Sequence, residues 1–218
     1  MIRPRGIGLL ALLAPAAALA HDPAAEVAGL EARAPGFLDW VLLGVEHVVS
    51  GYDHLLFLAA IAVVATRLGD LALAITAFTV AHSITLGLAA LEIVSLPPAL
   101  VEPAIAASIL FVAVENVLRR DPRRGRAALT FAFGLVHGFG FASVLAEQGV
   151  GAGGGALAAL AGFNLGVEAG QLTVVLAALV PILLARRRRW FAPVAVPGAS
   201  AAIGFFGAYW LVERAFAA

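Results

Sequence analysis

The chain has 218 residues, 62% of them hydrophobic and only 13% charged, where a soluble domain carries about 25% charge. That apolar surplus has to face lipid, so the chain reads as a single polytopic helical membrane domain, and its zero net charge points to no nucleic-acid partner. Cysteine is absent, which excludes disulfides and thiolate metal sites and leaves His, carboxylate, amide and backbone oxygen as ligands.

Residues 1–20 begin with Arg3 and Arg5, continue through a short apolar run and end in Ala18-Leu19-Ala20. This is the pattern of a secretory signal peptide, with cleavage expected after Ala20. His21 would then start the mature chain, where its free amine and imidazole form a candidate chelate. Residues 21–36 are mixed in character and read as a short extracytoplasmic lead-in.

Six apolar segments follow at about 37–65, 70–92, 98–118, 127–147, 156–185 and 192–213, each near or above the roughly 20 residues a bilayer requires. The expected fold is therefore all-α, a bundle of six transmembrane helices filling 37–218. All fourteen basic residues are Arg. Ten of them (Arg67, Arg119, Arg120, Arg123, Arg124, Arg126 and Arg186 to Arg189) fall in alternate connections, and the opposite loops hold Glu92 and Glu147 but no Arg. The positive-inside rule puts those ten in the cytoplasm and both mature termini outside it, in a bacterial-type inner membrane.

The polar residues inside these segments carry the functional signal. The first segment contains Glu46, His47, Asp53 and His54. On one continuous helix, residues seven apart differ by about 20° in direction and roughly 10.5 Å in height. His47 and His54 would then share a face but be too far apart to serve one metal. The expectation is an outer site near His47, where Glu46 and Glu102 receive an ion, and a deeper site of His54, His82, His137 and Glu168. Asp53 would be a ligand there or orient an imidazole.

In the fifth segment Asn164, Glu168 and Gln171 stand at i, i+4 and i+7, one polar stripe in which Asn164 and Gln171 would orient ligands. Glu115 and Asn116 lie at the cytoplasmic end of the third, either as pathway steps or, for Glu115, as an i,i+4 pair with Arg119. Gly134, Gly138, Gly166 and Gly170 are small residues at which a neighbouring helix can approach closely.

Each polar residue taken singly is as readily a packing residue. Ser83, Thr85 and Ser108, for instance, can bond their own helix carbonyls. The number of them decides the reading. Four of the five histidines lie inside apolar segments beside several carboxylates, and ionisable groups at that depth cost enough to signal function. Imidazole with carboxylate suits a divalent transition metal: Ni, Co, Zn or Fe. Imidazole binds metal only when neutral, so occupancy should fall as pH drops through about 6.5, the unperturbed His value. A faint echo, Phe78-x3-His82 and Phe133-x3-His137, suggests a parallel repeat of a helix pair.

His47-x5-Asp53-His54 resembles the His-x5-Asp-His signature of the HupE/UreJ family of small membrane proteins. The blocks AHSITL, GLVHGFGFA and FNLGVEAGQ resemble its second branch. The resemblance implies a signal peptide, six spans and a nickel or cobalt permease that supplies metalloenzymes such as hydrogenase and urease, with their maturation proteins as partners. One departure stands out. The nickel-permease branch has Phe-His-Gly-x-Ala-His-Gly; here Phe133 stands at its first His and Val136 at its Ala.

Two other functions use the same residues. A membrane metalloenzyme would hold a metal on three ligands, with Glu168 or Glu102 as base toward bound water. A b-type cytochrome would clamp haem between two His. The chain has no H-E-x-x-H motif, and a transporter rather than an enzyme is the leading reading.

Overall fold

A computed structural model describes residues 35–216 apart from 120, 122–124, 142–144, 146–149 and 151–154. The signal peptide, its cleavage site, His21 and nearly all of the lead-in fall outside the described residues, as do Arg120, Arg123 and Arg124 and most of the loop before residue 155. The described elements are helical: α1 (Phe37–Ser50), α2 (Tyr52–Val64), α3 (Leu68–Ala90), α4 (Pro98–Leu118), α5 (Arg126–His137), α6 (Ala156–Arg186) and α7 (Val196–Phe216). A π-helical turn, Phe191–Ala195, leads into α7.

Four helices are long and apolar enough to cross a membrane: Leu68–Ala90, Pro98–Leu118, Ala156–Arg186 and Phe191–Phe216. The bent pair Phe37–Ser50 and Tyr52–Val64 makes a fifth if counted as one span. This corrects the expected bundle of six, and the causes are local. The first expected span is broken at Gly51 into helices of 14 and 13 residues set at 69°. At 1.5 Å per residue each is about 20 Å long, short of a hydrocarbon core of about 30 Å. Among the described residues of the fourth expected span, the α-helix, α5, has only 12 residues and ends at His137, with Gly138 as its cap and turns following. The protein is a multi-pass membrane protein, with four or five such helices among the described residues.

The helices pack in three close pairs, α1 on α6, α3 on α5 and α4 on α7, around α2. Beyond its first turn α2 is apolar on every side, the mark of a helix surrounded by protein, and Phe57, Leu58, Ala60, Ile61 and Ala62 are all buried. The α1–α6 pair is drawn together by small residues. A Cβ on Gly44 would collide with the Phe163 carbonyl oxygen, and one on Gly166 with the Val41 carbonyl oxygen, so the two backbones touch where both residues are Gly. The outer faces of α3 and α6 carry Leu73, Val80, Ile84, Leu172, Leu176 and Leu183 exposed, a surface stable only against lipid.

Candidate metal centre

The break at Gly51 builds the site. Its amide donates to the His47 carbonyl at 3.1 Å, closing the last turn of α1, and then ψ opens to 97° and the helix stops. Ser50 Oγ donates to the Glu46 carbonyl at 2.6 Å in the same turn. A Cβ at position 51 would sit 2.6 Å from the His47 carbonyl oxygen and 2.9 Å from His54 Nδ1. Glycine is thus what lets α2 start beside α1 with both imidazoles turned inward.

The 69° bend overturns the expectation of two sites spaced along one helix. The His47 and His54 ring centroids are 4.6 Å apart. His82, from the middle of α3, closes the group, with its centroid 6.1 Å from that of His47 and 6.2 Å from that of His54. One ring nitrogen from each of the three lies within 4.8 Å of the others, and all three residues are buried. A tetrahedral metal with bonds of about 2.05 Å spaces its nitrogens about 3.3 Å apart, so each would move inward by at most about 0.8 Å. Small side-chain rotations cover that distance, and the three neutral nitrogen donors fit such an ion.

His137, at the end of α5, packs against the cluster with its ring 5.5 Å from that of His54. Its Nε2 lies 2.9 Å from Ser108 Oγ, and the Ser108 hydroxyl is 2.6 Å from the Ile105 carbonyl. The hydroxyl proton belongs to that carbonyl, so Nε2–H donates to Ser108 and Nδ1 is left as the base. Buried Nδ1 has no hydrogen-bond partner among the described residues. Phe57 and Phe78 flank His137, and Phe141 and Phe163 stack beside His47, which gives the cluster apolar walls.

A cavity of about 90 Å³ adjoins these rings, lined by His47, His54 and His137 and by Asp53, Glu102 and Arg214. The Asp53 carboxylate is held by Arg214, whose Nη2 lies 3.0 and 3.2 Å from its two oxygens. Arg214 Nη1 is 3.2 Å from a Glu102 carboxylate oxygen. Asp53 therefore faces a guanidinium, and Glu102, expected near an outer His47 site, stands at the same mouth. Arg214 was not singled out from the sequence. It lies one residue past the expected end of the last span, and an arginine at a helix end reads as a topology anchor.

The remaining candidates are spread more widely. Glu46 is exposed, next to buried His47 on α1 but facing outward. Glu168 lines a separate groove between α3 and α6 with Thr79, Ser83 and Asn164. In that groove Asn164 Oδ1 is 2.6 Å from Ser83 Oγ, and buried Gln171 accepts from Thr79 at 2.7 Å. Asn164 and Gln171 thus fasten α6 to the helix that carries His82, and the Asn164 side chain also interacts with the His82 imidazole, as a ligand-orienting residue would. Glu115 pairs with Arg119 and with buried Arg126, the latter at 3.0 Å. Asn116 accepts from Arg126 and donates to the Ala60 carbonyl, both at 2.7 Å. These contacts tie α2, α4 and α5 together at their far ends. Ser83, Thr85 and Ser108 do reach carbonyls of their own helices.

Three buried imidazoles set among membrane helices, beside a cavity with paired carboxylates at its mouth, define a membrane protein with a candidate metal centre. A HupE / UreJ protein family profile matches residues 24–214, and the chain belongs to that family. No curated protein and no solved structure matches it. Family membership and the His cluster together support metal binding or transport in general.

Proposed function

We propose that this protein carries a divalent transition metal ion across the membrane, with His47, His54 and His82 as the binding station on its path. The observation that carries the reading is the convergence of three buried imidazole nitrogens, from α1, α2 and α3, within 4.8 Å of one another. Nitrogen donors of this kind suit Ni, Co, Zn and Fe rather than Ca or Mg. The family's link to nickel and cobalt puts those two first, and the metal is cargo rather than a resident cofactor.

A carrier station must hold its ion firmly enough to strip water and loosely enough to release it. Three imidazoles without a bound carboxylate meet that demand, because they leave the ion's full charge uncompensated. Asp53 is held at the mouth by Arg214, and Glu168 lines a different groove. Among the described residues, the carboxylates beside the rings are Asp53 and Glu102, both paired with Arg214, which favours a permease over a metal hydrolase. The rings also pack on Phe57, Phe78, Phe141 and each other, which favours a small ion over a haem between two of them.

Uptake into proteoliposomes across a panel of Ni²⁺, Co²⁺, Zn²⁺ and Fe²⁺ tests the reading. The parent protein should move at least one of them, and His54→Ala and His82→Ala should bring uptake to the level of empty vesicles while unfolding as the parent does. Equal uptake by parent and both variants would remove the His station from the path.

A further inference from the structure

Exposure falls in steps toward the rings. The Glu102 side chain is 37% exposed, Arg214 14% and Asp53 11%, and His47 behind them only 3%. Solvent therefore meets Glu102 first, then the Arg214–Asp53 pair, then imidazole. We propose that Arg214 is a tethered cation that closes the His cavity, and that an incoming divalent ion reaches the rings by taking its place between Asp53 and Glu102. The inference rests on the metal-transport reading and adds the device that controls access to its site.

The charges at the mouth are suited to such an exchange. Two carboxylates and one guanidinium leave a net charge of −1. A divalent ion between the two carboxylates balances their charge in full, where the guanidinium balances half of it, and the exchange reverses once the ion moves inward. Arginine does not lose its proton in proteins, so the guanidinium stays charged and the incoming ion opens the latch by competing for the carboxylates.

The backbone beneath it is fixed. α7 packs on α4 closely enough that a Cβ on Gly207 would lie 2.8 Å from the Leu110 amide nitrogen. Only the long side chain need move. Its guanidinium carbon lies 5.4 Å from the centre of the Trp210 ring, which keeps the released cation near the mouth.

The plainer role for Arg214 is a fastener that holds the end of α7 to α2 and α4. Access to the cavity separates the two. The chain has no cysteine, so Ile105→Cys places one thiol in the cavity wall. It can be labelled with neutral methyl methanethiosulfonate in the full protein, and a neutral reagent removes charge steering from the comparison.

A latch that leaves an open state in the minority predicts labelling at least about tenfold faster when Arg214→Gln is added. Glu102→Gln, which cuts one of the two carboxylate ties, should give an intermediate acceleration. It decides alone if Arg214→Gln fails to fold. Unchanged labelling in the variants that fold, with a lowered unfolding midpoint, makes Arg214 a fastener and overturns the proposal. Co²⁺ absorption on the same proteins keeps the two readings apart. A parent that binds no Co²⁺ overturns the metal station, and Co²⁺ binding without accelerated labelling overturns the latch alone.

Discussion

Two buried polar clusters share this small bundle, and they are built on opposite principles. At the far ends of α2, α4 and α5, the Glu115 carboxylate meets the guanidiniums of Arg119 and Arg126, and the Asn116 amide serves both Arg126 and the Ala60 carbonyl. In the other, three imidazoles face one another with their ligand nitrogens within 4.8 Å. Neutral imidazoles turned toward a common centre offer nitrogen donors of the kind that suit a metal ion. The first cluster pairs its charges within the chain and holds helices together. The second brings like donors together. Buried polarity alone does not mark function; the chemistry of the grouped side chains does.

The comparison can be broken by exchanging the expected consequences. Arg126→Met leaves Glu115 buried with only Arg119, and removing one partner of a buried pair costs about 3 kcal/mol or more. Denaturant titration in detergent should show that loss while metal affinity stays within about twofold of the parent, a shift of under 0.5 kcal/mol. A large loss of metal affinity at unchanged stability would put the inner cluster on the ion's path.

Gly51→Ala should act the other way. The added methyl meets the His47 carbonyl and the His54 ring, an overpacking strain of about 1–3 kcal/mol. If the bend relaxes to accommodate it, the rings separate and metal affinity falls by about tenfold, or 1.4 kcal/mol. Isothermal titration with Ni²⁺ or Co²⁺ reads this directly, and parent-like binding would mean that the cluster does not depend on the break.

The smallest effect is expected at Glu168. Glu168→Gln, in its separate groove beside α3, should change bound metal by less than about twofold. A loss as deep as that of His54→Ala would return this carboxylate to the station.

Acid provides a sharper form of the same contrast. Protons compete with metal for imidazole lone pairs, so metal is bound at higher pH and lost as pH falls. Arg126 keeps its proton throughout, so the inner cluster should not follow that curve. Metal retention measured against pH, beside denaturant unfolding of the metal-free protein, compares the two.

Much of this was legible in the sequence, and the misses have two causes. The spans expected at 70–92, 98–118 and 156–185 correspond to Leu68–Ala90, Pro98–Leu118 and Ala156–Arg186, because continuous apolar length is a direct signal of a spanning helix. Hydropathy does not register a backbone break between two apolar halves, so the first segment read as one rod and α5 as a full span. The histidines were visible by type and setting. Their distances were not, because heights along a straight helix do not apply across a 69° bend. Arg214 gave no local cue at all, since its partners Asp53 and Glu102 lie 161 and 112 residues away in the chain.

The claim that His47, His54 and His82 form one centre can be measured without reference to transport. X-ray absorption of the Ni²⁺- or Co²⁺-loaded protein counts the imidazoles around the ion from their outer-ring scattering. The account predicts three imidazole nitrogens at about 2.0–2.1 Å, falling to two in His82→Ala. A single imidazole, or a shell of oxygen atoms unchanged by that substitution, would contradict it.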